Sequence, residues 1–366
     1  MFYYCRTVTH DSDPDVFSKY YIYYFKHLDQ GGLLITPYYS IGSHSSSLIQ
    51  PTIFWDFTAS ETLDARITHT RSGNTATRTN PSGVIEIVSA NTPRFDYNPS
   101  TSASLGIMTE DTKTNKLLSS LIDGTNLSTQ DVTVTAVSHA LSFYGGGSIT
   151  LSGAYTAVLM GRGFYPNRNY LVFTPTAGTL TCTVSGTVQY AQLEIGATPT
   201  SFIPTDATTK TRNADSYSVT GTNFSNFFNP SEGTLIVEAQ NTVASYTGTQ
   251  MFAGIYDVSA LTNSMYLDFN AGSGRYVKRI AGTASVYTKA WTANTINRLG
   301  GTYKSGTAGI GSVNGSNGSV ATGVGSGFVL LTLGDPNYSN NGHVRKFWYY
   351  PQSLSAEELN KRTKYA

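Results

Sequence analysis

Arg345-Lys346-Phe347-Trp348-Tyr349-Tyr350-Pro351-Gln352-Ser353-Leu354-Ser355-Ala356-Glu357-Glu358-Leu359 reads as two short elements in a row. From His343 to Tyr350 aromatic and β-branched side chains suit a pleated strand, and Pro351, which cannot donate to a ladder, ends it. Ser355 then stands three residues before Glu358, the spacing of a helix N-cap and its capping-box partner. A strand followed by one short helix therefore closes the chain. No run of apolar residues recurs at helical period elsewhere, so the fold class is all-β.

Upstream of that closing strand, further strands are readable at Gly233 to Gln240, Met251 to Tyr256, Met265 to Phe269, Arg275 to Ile280, Asn297 to Tyr303, Ala308 to Val313 and Gly327 to Leu333, with Val313-Asn314-Gly315 as a hairpin turn. Residues 206–366 form one unit on this reading. Residues 119–205 form another, with strands at Val132 to Val137, Ala140 to Phe143, Ser148 to Leu151, Tyr170 to Phe173, Gly178 to Val184 and Val188 to Gly196. Such short strands, separated by Gly and Pro turns, predict a β-sandwich. Residues 51–118 read as a third β module, with strands at 52–57 and 84–88 and turns at Asn80-Pro81-Ser82-Gly83 and Asn98-Pro99-Ser100. Within it Arg94, Asp96 and Glu110 are expected either as a partly buried ion network or as solvated surface charges. Residues 1–50 carry tyrosine pairs at 3/4, 20/21, 23/24 and 38/39 without a sustained period. Three readings stay open for them: an anchoring arm, a poorly ordered extension, or translation assigned from too far upstream.

The composition of the 366 residues agrees with this picture. Charged side chains are 13% and the formal net charge is +1, about half the usual charged share. No basic stripe with interleaved aromatics is present, which argues against a nucleic-acid partner. Cys5 and Cys182 are far apart and form no Cys-x-x-Cys, so free thiols suited to a reducing cytosol are expected. The first thirty residues show no basic region leading into an apolar one, and neither export by a signal peptide nor membrane anchorage is expected.

Several separated pieces of the 51–118 segment fall in a familiar order. Thr70-Arg71-Ser72-Gly73-Asn74-Thr75-Ala76-Thr77, Gly83-Val84-Ile85, Asn91-Thr92-Pro93-Arg94-Phe95-Asp96-Tyr97, Leu105-Gly106 and Glu110 to Leu118 resemble a module of tail fibres and other surface proteins of tailed bacteriophages. Thr109 and Asp111 depart from the apolar residue and second Glu more common there. The close of the middle unit, Val188 to Gly196 and Thr200-Ser201-Phe202-Ile203-Pro204-Thr205, resembles carbohydrate-binding-like jelly rolls, and Thr211-Arg212-Asn213-Ala214-Asp215 is similar to the junction that follows them. Thr234-Leu235-Ile236-Val237-Glu238, Arg298-Leu299-Gly300-Gly301-Thr302-Tyr303, Val313-Asn314-Gly315 and the closing stretch resemble a concanavalin A-like or laminin G-like lectin sandwich. The expected architecture is thus tandem β-sandwiches ending in a lectin-like sandwich with a short C-terminal helix. The resemblance implies a virion surface protein, tail or head fibre, assembled in the host cytoplasm. It would be a homotrimer whose partners are other virion proteins and a host cell-surface polysaccharide. A capsid decoration protein and an exopolysaccharide-cutting tailspike are the alternatives.

The residues themselves predict binding without catalysis. A retaining glycosidase needs two carboxylates about 5 Å apart, and strand positions two apart would supply them. No Glu-x-Asp-x-Glu run exists; Glu238 and Asp268 stand alone and Glu357/Glu358 belong to the terminal helix. There is no Gly-x-Ser-x-Gly elbow, His69, His139 and His343 lie in different modules, and Gly145-Gly146-Gly147 lacks the Lys and helix of a phosphate loop. For sugar, an aromatic face with amides and carboxylates around it is required. The loop Gly334 to Gly342 offers Asp335, Asn337, Tyr338, Asn340 and Asn341 on one rim. In laminin G-like relatives a calcium ion sits at such a rim, and Asp335 and Asn337 are the oxygen ligands implied here. Asp257 and Trp291 are second candidates, Trp291 as a sugar platform or a core side chain; Trp55 and Trp348 are read as core.

Overall fold

The computed structural model describes residues 3–6, 21–27, 33–38, 49–73, 75–241, 248–257, 262–292, 294–334 and 341–364. Two compact units result, residues 1–50 and 51–366. In the first, Tyr3–Arg6, Tyr21–His27 and Leu33–Tyr38 form a three-stranded antiparallel sheet with Tyr21–His27 in the middle. The tyrosine pairs at 3/4 and 23/24 fall within these strands, as the β preference of aromatic side chains favours.

The second unit holds a large and a small sandwich. One sheet of the large sandwich has seven strands, in the order Thr283–Ala290, Ser273–Ile280, Ser264–Asn270, Thr249–Asp257, Phe328–Leu333, Ser216–Thr220 and Thr68–Thr70. The facing sheet runs Ser316–Thr322, Ala308–Val313, Asn297–Lys304, Glu232–Asn241, Asn341–Tyr350, Ser104–Glu110 and Phe95–Tyr97, and Ile53–Asp56 is its eighth strand. Alternate residues face inward, as strand geometry requires. Ile53, Trp55, Phe57, Ile67, Phe95 and Ile107 share one buried core with Leu235, Val237, Ile255, Leu267 and Phe347. The segment read as a module of its own, 51–118, therefore contributes strands to both sheets of the large sandwich and apolar side chains to its core. Local pattern shows that a strand exists and is silent about which distant strand pairs with it.

The long strand Asn341–Tyr350 shares one edge between two short partners. Its first residues pair with 107–110 and its later ones with 53–56. The hand-over falls at Gly106 (φ +91°), where a Cβ would lie 2.4 Å from the Val344 carbonyl oxygen. Only glycine fits that close backbone approach. At the far end Asn314 and Gly315 both have positive φ, the conformation a two-residue hairpin turn needs, and Val313 pairs with Ser316 across it. The closing helix is Ala356–Thr363, with Ser355 Oγ accepting from Glu358 N at 3.2 Å. The strands Thr283–Ala290 and Ser316–Thr322, absent from the sequence reading, lie at the two sheet edges and are largely exposed with weak alternation.

Residues 116–205 are inserted between Glu110 and Ser216 as the smaller sandwich. Its four-stranded sheet is Gln130–Val134, Gly178–Ser185, Ser148–Gly153 and Ala157–Met160; its three-stranded sheet is Asn169–Phe173, His139–Tyr144 and Gln189–Ile195. Leu141, Phe143, Ile149, Leu151, Leu180, Cys182 and Leu193 fill the space between them. Cys182 is a buried free thiol, and burial pushes its pKa up to about 12. A two-stranded neck, Lys113–Asn115 against Lys210–Arg212, joins the small sandwich to the large one. Asn115 closes the neck by donating to Ala191 O and Ile203 O (3.0 and 2.9 Å) and accepting from Leu117 N and Leu193 N (both 3.1 Å).

Beside the neck lies a buried ion cluster. Arg94 donates to Glu110 Oε2 at 2.7 Å and, through Nε and Nη2, to both oxygens of Asp215. Arg212 approaches Glu110 at 3.1 Å, and Arg71 and His69 each lie 3.6 Å from Asp215. Ser201 N and Oγ fill the remaining acceptor sites of Glu110, both at 2.6 Å. The expected network of Arg94, Asp96 and Glu110 thus exists for Arg94 and Glu110, while Asp215, from the junction after the insert, takes the third place. Asp96 turns to His343. Burial by itself would raise the Glu110 carboxyl; Arg212, Arg94 and Ser201 outweigh it and hold the pKa at about 2. Asp215 is held well below the carboxylate range, burial again being outweighed by Arg94, His69 and Arg71.

Removing one partner from a buried ion pair leaves its mate uncompensated, at a cost of about 3–5 kcal/mol. Asp215→Asn is expected to destabilise the protein by that amount in urea unfolding, whereas Asp206→Asn, which loses an exposed pair with Lys210, leaves the midpoint unchanged. Because the folded-state pKa of Glu110 lies below its ordinary 4.5, the unfolded chain takes up that proton first on acidification. Its contribution is complete above about pH 4.5 and drains away as pH falls toward about 2; flat stability across that window would contradict the assignment.

Candidate functional site

Where the two sandwiches meet, a cleft of about 600 Å³ opens. One wall is the outer face of the three-stranded sheet. Leu171 and Phe173 belong to the small core, so Tyr170 and Val172, alternating with them, point outward. On the neighbouring strand Ser142 takes the same face between Leu141 and Phe143, and Tyr144, two residues on, faces the cleft as well. Segment 197–202 folds back over this face. Glu194, fully buried there, accepts from Gln192 Nε2 (2.7 Å), Thr200 N (2.7 Å) and Thr200 Oγ1 (2.6 Å), and burial raises its pKa.

The opposite wall comes from the large sandwich: Thr77 to Thr79, Asp96, Met108, Glu110 and the start of the Asn341–Tyr350 strand. Asp96 accepts from Thr79 N at 2.7 Å and pairs with His343 Nε2 at 2.8 Å. That contact puts the proton on Nε2 in the neutral ring. His343 Nδ1 is buried without a hydrogen-bond partner, so the Asp–His pair is followed by no hydroxyl among the described residues. Both carboxylates of this wall have their oxygens occupied, Asp96 as above and Glu110 within the ion cluster.

Three tyrosines dominate the opening. Tyr144 meets Tyr165 edge-on with ring centroids 5.2 Å apart, and Tyr190 at 6.0 Å supports it from the other side. Tyr165 Oη lies 3.0 Å from Thr79 Oγ1, bridging the two walls; burial pushes its phenol up to about 12. Tyr170 is 59% exposed and presents its ring to solvent. Arg168 sits 5.9 Å from the Tyr144 centroid and donates to Thr200 O at 2.5 Å and to Ser142 Oγ at 2.7 Å. An aromatic surface beside amides, hydroxyls and a guanidinium is able to hold a small polyhydroxylated ligand.

The residues singled out from sequence are dispersed. Asp335, Asn337, Tyr338 and Asn340, and with them the implied calcium ligands, lie outside the described residues. Asn341 lines the cleft and donates to Pro199 O at 3.0 Å, tying the large sandwich to segment 197–202. Asp257 accepts from the backbone and side chain of Asn263. Trp291 stacks on Phe252 at 5.3 Å and donates to Asn241 Oδ1 at 2.7 Å, a core position. Neither lines the cleft. Trp55 is core, whereas Trp348 is half-buried and stacks on exposed Phe54. Glu238 is bound by Arg298 and Arg345. Asp268 is gripped by Arg275, and burial pushes its pKa up to about 6 against that pair. Among the described residues no group of three or more His, Cys, Asp or Glu gathers as a metal site.

The sequence reading missed Tyr144, Tyr165, Arg168, Tyr170 and the Asp96–His343 pair. One local signal was present: Phe164-Tyr165-Pro166-Asn167-Arg168-Asn169-Tyr170 packs aromatics and an arginine into a turn. The opposite wall had none, since Thr79, Asp96 and His343 come together only through long-range strand pairing.

No family model and no curated protein matches the chain. Among solved structures, the CBM40 of the Ruminococcus gnavus IT-sialidase is similar at 14% identity and a TM-score of 0.32, over 38% of this chain and 87% of that one. The K499G mutant of NanB sialidase from Streptococcus pneumoniae is similar at 15% identity and a TM-score of 0.32, over 39% of this chain and 26% of that one. The receptor binding domain of botulinum neurotoxin C/D mosaic serotype is similar at 10% identity and a TM-score of 0.34, over 41% and 40%. The aligned part thus spans about a quarter of the NanB sialidase chain.

Tyr165→Phe removes the hydroxyl that bridges the cleft walls. A neutral hydrogen bond contributes about 1 kcal/mol, and urea unfolding is expected to show a loss of that size; an unchanged midpoint would mean that the walls are held without it.

Proposed function

We propose that this chain is a glycan-binding surface protein of a tailed-phage virion, and that the cleft between its two sandwiches is the adhesion site. The observation that carries the glycan reading is the cleft itself, with an exposed tyrosine ring at its mouth and hydrogen-bonding groups along both walls. A pyranose has an apolar face that an aromatic ring covers and hydroxyls that amides and hydroxyls bind. The virion setting is supported by the sequence resemblance of the 70–118 and 188–205 stretches. The mechanism is weak adhesion, each site binding at about millimolar Kd and strengthened about 10²–10⁴-fold by copies on one particle. A homotrimer carrying host-surface polysaccharide sites alongside other virion proteins suits that mechanism.

The test is binding of the full chain to a panel of bacterial surface polysaccharides, with new reducing ends assayed in the same wells. Binding without cleavage, weakened about tenfold by Tyr170→Ala at unchanged thermal stability, is the expected result. Cleavage would favour a depolymerase. Absence of any binding, or a Tyr170→Ala variant that binds as well as the parent, would overturn the cleft as an adhesion site.

A further inference from the structure

Nine arginines of the described residues, at 66, 71, 78, 94, 212, 275, 298, 345 and 362, stand in ion pairs with carboxylates. Arg168 is in none, although it lines the cleft and is held firmly. Thr200 O and Ser142 Oγ take one donor from each terminal nitrogen, and the Tyr144 ring flanks the guanidinium. A guanidinium has five N–H donors in a planar fork; Nε–H is buried without a partner, and each terminal nitrogen, giving one hydrogen to Thr200 O or Ser142 Oγ, keeps a second with no hydrogen bond among the described residues. From Val132 to Leu193 the chain contains no Asp or Glu at all. Glu194, the nearest carboxylate in sequence, makes no ion pair with Arg168, and its oxygens are taken by Gln192 and Thr200.

The other arginine at the cleft, Arg78, is already paired with Glu61 and Glu86, and Glu110 with Arg94 and Arg212, while Asp96 is hydrogen-bonded by Thr79 N and His343 Nε2. Arg168 is therefore a preorganised cation whose hydrogen-bond acceptors are neutral, with the buried Glu194 carboxylate near enough to interact with its charge but not hydrogen-bonded to it. Its rotamer freedom has been given up before any ligand arrives, which favours binding of a group that fits the fork.

We propose that the cleft selects an acidic saccharide, and that Arg168 receives the carboxylate of a uronate-type residue. This rests on the glycan reading and narrows it to a substrate class. A neutral sugar would leave the guanidinium with the donors it has now, while a planar carboxylate matches two of them at once. Asp96, on the opposite wall, repels a carboxylate placed near it, so the acidic group belongs on the Arg168 side and the hydroxyls on the Asp96–His343 side.

The experiment uses the full chain and three probes, alginate, polygalacturonate and hyaluronate, each beside its carboxyl-reduced form, with dextran sulfate as a charge control. Isothermal titration is expected to show at least one acidic probe binding about tenfold more tightly than its reduced form. That preference falls as salt rises. Arg168→Gln abolishes the preference, so that acidic and reduced forms bind alike, and Arg168→Lys, which keeps the charge and loses the fork, retains only part of it. Thermal unfolding of each variant separates loss of binding from loss of fold, and Arg168→Lys decides the question should Arg168→Gln fail to fold. Equal affinity for acidic and reduced forms overturns the selection and leaves glycan binding standing. Dextran sulfate binding as tightly as the best acidic probe also overturns it, since charge alone would then suffice. If neither form of any probe binds, the glycan reading falls and this inference with it.

Discussion

Arg94 is the point on which the second unit depends. It lies just before the strand Phe95–Tyr97 and is sealed from solvent, and its guanidinium joins Glu110, where the chain leaves the large sandwich, to Asp215, where it returns. Burying a guanidinium and two carboxylates is unfavourable unless each finds charged and hydrogen-bonding partners. Here they do: Arg212 and Ser201 complete Glu110, and Arg71 and His69 stand at Asp215. The cluster can exist only when the N-terminal segment, the end of the insert and the start of the C-terminal segment are all in place. It is therefore a condition on topology as much as a source of stability.

The cleft follows from that condition. With the neck 113–115 against 210–212 pinned beside the cluster, the three-stranded sheet of the insert faces the wall made by 77–79, 96 and 341–343. Ser201 takes part in both places, donating to Glu110 in the cluster and belonging to the segment that lines the cleft. Asn341 and Tyr165 then tie wall to wall through Pro199 and Thr79. A site assembled across a junction between two sandwiches can hold groups that neither half would place alone, here tyrosine rings from one and an aspartate–histidine pair from the other.

Strand existence was legible over most of the large and small sandwiches, because period-2 alternation and turn residues are local, but Thr68–Thr70, Ala157–Met160 and Ser216–Thr220 went unread. The hairpin at Asn314-Gly315, the capped helix after Ser355 and the two-layer core of 119–205 were all readable for that reason. Edge strands such as Thr283–Ala290 escaped because small and polar side chains fill most of their positions and only Ser285 and Tyr287 are even half-buried, which leaves the alternation weak. The 51–118 segment was read as a module from its strands at 52–57 and 84–88 and its two turns; that it completes another sandwich is decided by pairing of Thr68–Thr70 with Ser216–Thr220 and of Ser104–Glu110 with Asn341–Tyr350. Of the expected binding residues, Asn341 reached the cleft, while Trp291 is occupied by Phe252 and Asn241 in the core.

What the amino-acid order determined by itself is the all-β class, the positions of most turns, the closing helix, the low charged share with its near-zero net charge, and the approximate limits of the insert. These depend on side-chain alternation, capping and φ preferences that act over a few residues. The tertiary structure alone decided that the first and last parts of the second unit form one sandwich, that Asp215 rather than Asp96 completes the Arg94 cluster, and that a cleft lies between the sandwiches. Those outcomes turn on which strand edges meet and which buried charges neutralise each other across a hundred or more residues, and no local pattern encodes such a choice.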